Sequence, residues 1–387
     1  MGTPARLGSG RGSEFEPPAE VRDAPLALMG VDEARTRGRS RLRYWAAVSW
    51  AAMGLCALGC GGASAEAAPP QAPALVQLGA PVGGSAATRE QPLILWEVRD
   101  GGRLLGHLHG SVHMLEEGRE AAPSDHPVEI AFREAEALVV EVNPLAVDAA
   151  ETQRLTMSLG LYPSGDDLSR HLRPEVFTRV QQRSAEFGLA AQGISRMRPW
   201  LLSLSLLTLE AQRGGFSAQE GVDVGLLARA SSALERKEII ELETAEGQLR
   251  MLAGIPEDVQ VMMLEDALGD TNEQLARIVE VWRSGDVEGL VRAIFEPLLE
   301  QPELLPFYEA MFFERNRRMS ARLAELFATG RRHFVVIGAG HLVGPGSVVE
   351  LLEERGLAIS QVSYRIRSGA RGGASNPDGE ALGEIRD

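Results

Sequence analysis

The chain has 387 residues, a formal net charge of −15 at pH 7 and a single lysine, Lys237, among its 39 basic residues. A nucleic-acid partner is not expected, because such binding requires a clustered basic surface and no stretch of the sequence would form one. The compositions of both chain ends differ from that of a folded domain. The residues between these ends are numerous enough for one large domain with a sizeable core.

The first predicted element is a bacterial export signal. Five arginines within residues 35–43 precede the apolar run Tyr44–Leu58, which is short for a membrane-spanning helix. The segment Ala57–Cys60 resembles a lipobox, which predicts cleavage before Cys60 and attachment of lipid to its thiol. An ordinary cleaved signal peptide and a retained anchor are the alternatives. We assign residues 1–60 to a leader, with Met29 as an alternative start.

This leader predicts an exported protein of the cell envelope. A lipoprotein would contact the membrane through its lipid anchor only, whereas a plain signal peptide would give a periplasmic or secreted protein. Both cysteines, Cys56 and Cys60, fall within the leader, so the mature domain has neither a disulfide nor a thiol nucleophile.

Three regions follow the leader. Residues 61–90 are rich in Ala, Pro, Gly and Ser and lack periodicity, which predicts a flexible linker. Residues 91–368 form the predicted domain. Residues 369–387 are Gly-rich, and we expect them to be a disordered tail.

The domain begins with a predicted β-hairpin, in which strands Leu93–Val98 and Leu104–His109 flank a glycine turn at Asp100–Gly102. An amphipathic helix is predicted over Pro127–Leu138, followed by a buried strand over 138–142. Glu141 lies in this apolar strand, where a carboxylate is costly unless it has a partner.

A mostly helical region is predicted over residues 165–330. One short strand, Glu238–Leu242, interrupts it and is followed directly by Glu243. The spacing of Ser217 and Glu220 within this region is that of a capping box, which predicts the start of a helix.

Three polar side chains of the helical region are candidates for a site. Asp223 lies on the helix that the capping box would open, and the predicted long helix Glu309–Phe327 carries Arg315 and Asn316 near its middle. Arg315 is interpreted either as an ordinary exposed charge or as an ion-pair partner of Glu141.

The C-terminal part contains the most informative pattern. An apolar run that starts at His333 and is rich in β-branched residues ends at glycines, and His341 follows them directly. Ser347 then begins a capping box ahead of the predicted helix Val348–Arg355. This order indicates strand, glycine loop and helix, with His341 on the loop, and Gln361–Ile366 is predicted as a final strand.

A second copy of this pattern lies upstream, where His113 follows Gly110 after a predicted strand. The chain therefore holds two Gly-x-x-His elements, Gly110/His113 and Gly338/His341. We predict an α/β fold with a mixed central sheet, built from two pseudo-symmetric strand–Gly-x-x-His units near the two ends with a large helical insert between them. Because open α/β sheets bind ligands at the carboxyl ends of their strands, both histidines are expected at one site.

Two histidines and a carboxylate predict a metal site. A neutral imidazole can ligate a metal or act as a general base, and Glu141 is the best-placed third ligand. His113, His341 and Glu141 with open positions would suit Mn²⁺, Fe²⁺, Co²⁺ or Zn²⁺, and such a metal could activate water and polarise a carbonyl. The alternatives are a structural ion pair for Glu141 and chance occurrence of the Gly-x-x-His pattern.

The remaining histidines are predicted to be structural. His107 and His109 are interpreted as solvated strand residues, with a polyhistidine site shared with His113 as the alternative. His126 precedes a proline and is expected at a helix start, whereas His171 and His333 are expected on the surface.

Short segments of the sequence, taken in this order, carry a family resemblance: Leu95–Val98, Gly110–His113, Ala135–Val142, Arg198–Trp200, Gly221–Asp223, Leu242–Thr244, Trp282–Asp286, Glu314–Asn316 and Gly338–Gly344. With these segments the chain resembles the TraB/GumN family, the group that includes the Tiki metalloproteases and the pheromone-shutdown proteins. The resemblance runs from about Leu93 to Ile366.

The resemblance implies an active-site core made of His113, His341 and Glu141. It also implies that Arg315 binds a substrate carboxylate or a tetrahedral oxyanion. Four further matching positions are assigned to substrate binding: Ser111, Asp223, Glu243 and Asn316. Two positions depart from the family pattern, because Ser111 replaces a common threonine and His109 replaces an apolar residue, which suggests an extra ligand or an altered entrance.

The function expected from the sequence is that of an exported, metal-dependent hydrolase of peptidase type. It would hold a divalent Mn, Co or Zn ion and act on a peptide or a small-molecule substrate. One alternative is a non-catalytic protein that sequesters a peptide or small ligand, as pheromone-shutdown relatives suggest. The other is a metal-free esterase with a histidine base.

Overall fold

The computed structural model describes residues 88–116 and 122–367. The predicted leader with Cys60, the predicted tail and most of the predicted linker lie outside these residues. The linker prediction extends too far at its end, because the first strand already begins at Thr88.

A six-stranded mixed sheet forms the centre of the domain, with the strand order β6-β4-β7-β2-β1-β8, and β3 and β5 form a separate two-stranded sheet. The strands are β1 Thr88–Asp100, β2 Arg103–Ser111, β3 Leu115–Glu116, β4 Ala137–Val140, β5 Phe216–Ser217, β6 Glu238–Glu241, β7 His333–Gly338 and β8 Ala358–Arg367.

Helices occupy most of the chain between β4 and β7. The α-helices are α1 Pro127–Glu134, α2 Ala149–Gly160, α3 Pro174–Glu186, α4 Ala191–Ser195, α5 Pro199–Arg213, α6 Val222–Ser231, α7 Ala245–Gly254, α8 Glu257–Ala267, α9 Asn272–Ser284, α10 Val287–Glu300, α11 Leu305–Tyr308, α12 Glu314–Ala328 and α13 Val348–Glu353. Within the described residues, no helix has both the length and the apolar character needed to cross a bilayer.

The predicted hairpin is present as the antiparallel pair β1 and β2. Its turn contains Gly101 and Gly102, whose φ angles of 52° and 86° lie in the left-handed region that glycine tolerates. Strand β8 pairs with the outer edge of β1 and confirms the predicted final strand.

The other half of the sheet is parallel. Strand β7 lies between β2 and β4, and β6 follows β4 at the edge, with every one of these pairs parallel. The predicted α/β class with a mixed central sheet and a large helical insert is therefore confirmed. The two predicted pseudo-symmetric units are not confirmed: β2 is entered from an antiparallel hairpin, whereas β7 is entered from a helix.

The main core packs against these central parallel strands. All four residues of β4 are buried, as is expected of a strand with parallel neighbours on both sides. Phe334 of β7 is fully buried and meets the edge of Phe132 from α1, with ring centroids 5.9 Å apart.

The predicted end of α1 and the predicted start of α6 were wrong. Helix α1 ends at Glu134, because the following residues pair with β7 and start a strand instead. Ser217 caps a short 3₁₀ turn, and α6 begins only after Gly221. The predicted helix over 309–327 is present, but it opens with a π-helical turn at Glu309–Phe313.

Candidate active site

Four adjacent parallel strands end at the same edge of the sheet, and each delivers a candidate residue there. His113 follows β2, Glu141 follows β4 directly, and His341 lies in the 3₁₀ turn after β7. Glu243 follows β6 and its backbone N–H donates to the carbonyl of Glu141. This edge is the position at which open α/β sheets bind ligands.

The side-chain tips of His113, Glu141 and His341 meet beside Gly338. A Cβ atom placed on Gly338 would lie 3.3 Å from Glu141 Oε1, 3.4 Å from His113 Nε2 and 3.5 Å from His341 Cδ2. His341 Nε2 lies 3.8 Å from Glu141 Oε1. The structure thus brings together the three residues that the sequence predicts as metal ligands, and the missing side chain of Gly338 leaves space between them.

The segment that carries His113 is held by close backbone contacts. Ser111 is paired with Gly338 at the end of the parallel ladder, and Val222 N–H donates to Val112 O. A Cβ atom on Gly221 would lie only 2.5 Å from His113 O, so a larger residue would push the histidine away. Glycine at 221 is therefore required by this close approach.

Asp223 fixes the tautomer of His113. His113 Nδ1 lies 2.9 Å from Asp223 Oδ2, and because a carboxylate only accepts, Nδ1 is the donor. When the ring is neutral, its lone pair is therefore on Nε2, which faces Gly338. Asp223 lies behind the ring in this arrangement, so the structure gives it a positioning contact in addition to the predicted substrate contact.

Asn316 fixes the tautomer of His341 in the same way. The Asn316 amide N–H donates to Gly346 O at 2.8 Å, which turns its Oδ1 toward His341 Nδ1 at 2.6 Å. Nδ1 is then the donor, and the lone pair of the neutral ring lies on Nε2. The predicted role of Asn316 in substrate binding stays a prediction, since both ends of its amide are engaged by the protein.

Glu141 accepts hydrogen bonds at both of its oxygens. Oε1 accepts from Gly338 N–H at 2.6 Å, and Oε2 lies 2.5 Å from Arg315 Nη2. Gln248 donates to Oε2 at 3.4 Å and more closely to Glu243 Oε2, at 3.0 Å. The predicted ion pair between Glu141 and Arg315 therefore exists, and it coexists with the convergence of the two histidines.

Arg315 is buried rather than exposed, with 3% of its surface accessible. Its guanidinium also contacts Glu243 Oε2 at 2.6 Å and donates to Met311 O at 3.0 Å. Met311 lies in the π-helical turn that precedes α12, and such turns occur often at functional sites. The interpretation of Arg315 as an ordinary exposed charge is wrong.

The two histidines have pKa values shifted in opposite directions. Burial lowers the pKa of His113, but the charge of Asp223 and its hydrogen bond outweigh burial and raise the pKa to about 9. Burial and the nearby Arg315 lower the pKa of His341 to about 4. Burial alone would raise the pKa of Glu141, yet Arg315 and the two histidines hold it below its usual range. Near pH 7, Glu141 is therefore ionised, His341 is neutral and His113 is protonated, so His113 would have to release its Nε2 proton before it could bind a metal.

A small cavity of about 40 Å³ opens beside His113 and Glu141, and we call it the site cavity. Ser111 Oγ and Asp223 Oδ1 lie on its wall, and neither atom has a hydrogen-bond partner within the described residues. Buried polar atoms without partners are costly, so these two are suited to bind a polar group or water that enters the cavity.

The donor chemistry of the site suits a divalent cation. Two Nε2 atoms and one carboxylate oxygen face a common point, and each ring is held through Nδ1 by an oxygen acceptor, as is usual for metal-binding histidines. The carboxylates of Glu141, Glu243 and Asp223 also outnumber the two arginines near them, the buried Arg315 and the exposed Arg318, which lies 4.0 Å from Glu243 Oε1. In the described part of the chain, however, no three His, Cys, Asp or Glu side chains are already spaced to hold a metal ion. Metal binding would therefore require the side-chain tips to move closer together.

The structure corrects two predictions about other histidines. His109 is buried rather than solvated; its Nδ1 lies 2.9 Å from Ile94 O and its ring packs near Trp282 and Phe334. It lines a different cavity from His113, so the structure gives no support to the polyhistidine alternative, and the extra ligand stays a prediction. His333 is also buried rather than on the surface, where it meets the Phe327 ring.

The other three histidine predictions agree better with the structure. His126 caps α1 by accepting from Val128 N–H, as expected of a residue at a helix start. His171 is partly exposed and lies 3.1 Å from both Asp166 and Glu257. His107 is partly buried on β2.

Two contacts of the site had no clear signal in the sequence. Gln248 is buried between Glu141 and Glu243, yet a single glutamine on α7 has no distinguishing local pattern. Trp282 donates from Nε1 to Gly110 O at 2.7 Å and so anchors the end of β2. Its place in the segment Trp282–Asp286 of the family resemblance was the only indication of a role.

The model of the TraB/PrgY/gumN family matches residues 94–361, which is more than half of the chain. The uncharacterized protein YbaP of Escherichia coli (strain K12) is 27% identical over 254 residues, which cover 64% of this chain and 87% of YbaP. YbaP of Shigella flexneri is also 27% identical over 254 residues, with the same coverage. No solved structure matches the chain.

Proposed function

The chain belongs to the TraB/PrgY/gumN family, and we propose that it is a metal-dependent hydrolase of peptidase type whose centre is formed by His113, His341 and Glu141. A peptide or a small molecule with a similar amide or ester group would be the substrate. We also propose that the protein is exported and attached to the membrane by a lipid on Cys60.

One observation carries the enzymatic proposal. Both imidazoles have Nδ1 held by an oxygen acceptor; His113 directs Nε2 to the point beside Gly338 where Glu141 Oε1 also lies, and His341 Nε2 lies 3.8 Å from the same oxygen. A hydrogen-bonded Nδ1 is also found on His109 outside the site, so it is the meeting of two such rings at one carboxylate that supports metal ligands or proton-transfer groups.

Each residue of the proposed site would have a distinct role in binding or catalysis. His113 Nε2, His341 Nε2 and Glu141 Oε1 would hold a divalent ion, which when bound supplies Lewis acidity and a nucleophilic water at neutral pH. Ser111 Oγ, on the wall of the site cavity, would donate a hydrogen bond to the substrate. Arg315 keeps Glu141 ionised and lies close enough to stabilise negative charge that develops on the substrate.

A metal-free hydrolase is the second candidate, and the ion pair of Glu141 with Arg315 favours it. Because Arg315 already neutralises the carboxylate, the two Nε2 atoms can act without a metal as proton donor and proton acceptor across the same point. A histidine-based esterase would have this arrangement.

Metal analysis of the purified domain distinguishes the candidates. We expect wild-type protein loaded with Mn²⁺, Co²⁺ or Zn²⁺ to retain one ion per chain, and His113→Ala and His341→Ala to lose it while remaining folded. His107→Ala is the matched control, since this histidine lies on the same strand as Gly110 but outside the site.

Digestion of an unbiased peptide library and of simple esters completes the test. Peptide cleavage that is lost on chelation and in both histidine variants supports the metal-dependent hydrolase. Ester cleavage without a bound metal would favour the second candidate. Binding of peptides with no cleavage and no metal would contradict both and indicate a sequestering protein.

A further inference from the structure

A second cavity, of about 380 Å³, lies beside the site cavity, and we call it the side cavity. Strand β2 and helix α6 contribute to both spaces. His109 faces the side cavity and Ser111 the site cavity on β2, whereas Gly225 faces the side cavity and Asp223 the site cavity on α6. The two cavities are therefore neighbours, separated by the first turn of α6 and the end of β2.

The walls of the side cavity are mainly apolar and well anchored. Leu93, Ile94 and Leu226 contribute aliphatic surface, and the indole of Trp282 forms an aromatic wall. Trp282 is fixed by its hydrogen bond to Gly110 O, and its ring centroid lies 6.3 Å from that of His109. The cavity is thus preformed, and its aromatic wall is tied directly to the strand that leads to His113.

The charges at the rim are paired. Arg229 contacts Glu129 at 2.9 Å on one side, and Arg283 contacts Glu116 at 2.6 Å on the other. With both cations compensated in this way, the side cavity suits a neutral group better than an anion or a cation.

Gly225 gives an independent sign that this space is kept open. It lies inside α6, where glycine is among the least favourable residues, and its backbone angles are those of an ordinary helical residue. A Cβ atom placed on it would meet nothing within 4 Å, so neither packing nor backbone conformation requires a glycine there. Gly225 is exposed and lines the side cavity, so a long side chain placed here is expected to extend over the cavity and reduce its volume.

We propose that the side cavity is a specificity pocket that receives a neutral, apolar side chain of the substrate, next to the bond presented to His113 and His341. This inference rests on the proposed hydrolase function. The site cavity of about 40 Å³ is too small for a side chain, whereas 380 Å³ falls within the usual range for ligand pockets. A wider groove of about 690 Å³ lies along α10, but it takes no residue from β2 or α6.

Filling the pocket from Gly225 tests this proposal. Gly225→Leu places an aliphatic side chain in the side cavity and exchanges a poor helix former for a good one, so the fold is expected to persist. Gly193→Leu is the matched control, because Gly193 also lies inside a helix, α4, and has nothing within 4 Å of an added Cβ.

The probes are N-acetyl-phenylalaninamide and N-acetyl-alaninamide, titrated into the purified domain and followed through the indole N–H resonance of Trp282. We expect the phenylalanine probe to shift this resonance in the wild type and in Gly193→Leu, with binding weakened about tenfold or more in Gly225→Leu. The alanine probe should have little effect. Identical binding by the wild type and Gly225→Leu, or no response of Trp282 to the phenylalanine probe, would overturn the pocket.

These probes bind without being cleaved, so the result does not depend on hydrolysis. If the wild type binds the phenylalanine probe, Gly225→Leu does not, and the protein cleaves nothing, the pocket is supported and the proposed hydrolase is contradicted. Cleavage of peptides with equal efficiency for alanine and phenylalanine, in wild type and Gly225→Leu alike, would support the hydrolase and contradict the pocket.

Discussion

Arg315 Nη2 lies 2.5 Å from Glu141 Oε2, and both residues are buried. The same nitrogen lies 2.6 Å from Glu243 Oε2, so one cation holds two carboxylates that follow the neighbouring strands β4 and β6. Burial of an unpaired carboxylate would be costly, and the arginine removes that cost for both. It therefore fixes the position of Glu141 beside the two histidines as well as its charge.

Replacing Arg315 should destabilise the fold strongly. Arg315→Gln leaves the buried carboxylate of Glu141 without its cation and removes the nearer cation of the half-buried Glu243, and we expect the free energy of unfolding to fall by about 3–5 kcal/mol. Urea unfolding measures the change. Arg322→Gln is the control, because its exposed pair with Glu325 should be worth less than about 1 kcal/mol. Equal effects of the two substitutions would show that the buried pair does not stabilise the domain.

The elements that were predictable from sequence are those with a complete local signal. The hairpin turn at Gly101 and Gly102, the Ser347 cap and the strand before Gly338 each depend on neighbouring residues, and each is present. The end of α1 was not predictable, because Ala135–Leu138 is compatible with both a helix and a buried strand. Pairing with β7 decides between them.

Burial of polar residues was harder to predict than secondary structure. His109 and His333 lie on strands that alternate toward helices on either face, and only the packed fold shows that both are covered. The same applies to Gln248 on helix α7, whose partners Glu141 and Glu243 follow the strands β4 and β6. The convergence of His113 and His341 could be inferred, since parallel strands bring their carboxyl ends to one edge.

The hydrogen bond between His113 and Asp223 predicts a pH dependence of stability. The pKa of His113 is raised to about 9, so between pH 6.5 and 9 the folded state keeps a proton that the unfolded chain has lost. The free energy of unfolding should therefore fall as pH rises through this window, by at most about 3 kcal/mol. Urea unfolding of chelated protein across the window measures this slope.

Asp223→Asn should flatten that slope, because the amide carries no charge to hold the imidazolium. His107→Ala serves as the control and should keep the slope, since burial lowers rather than raises the pKa of His107. A slope that is as steep in Asp223→Asn as in the wild type would show that another group is responsible.

The leader predicts a membrane-attached protein. Cys60→Ser removes the thiol that would carry the lipid, and we expect the protein to move from the membrane fraction to the soluble exported fraction or to stay unprocessed. Acyl chains contribute about 0.8 kcal/mol per buried CH₂, so two or more hold the protein firmly. The intact mass of the mature wild-type protein decides the matter. A lipid-free N-terminus between Ala63 and Ala68 would indicate plain secretion.

Gly338→Ala tests the centre of the site with the smallest change available. The Gly338 backbone has φ −51° and ψ 134°, which alanine adopts without strain, so the stability should change by less than about 1 kcal/mol. The added methyl group would nevertheless lie within 3.5 Å of atoms from Glu141, His113 and His341. It would occupy the point that the three side chains share and prevent them from closing around an ion or a water molecule.

We expect metal content and peptide cleavage to fall at least about tenfold in Gly338→Ala, as measured by elemental analysis and by the library digest. Gly193→Ala, which adds the same methyl group in open space, should leave both unchanged. Full metal binding and cleavage by Gly338→Ala would place the reaction centre elsewhere.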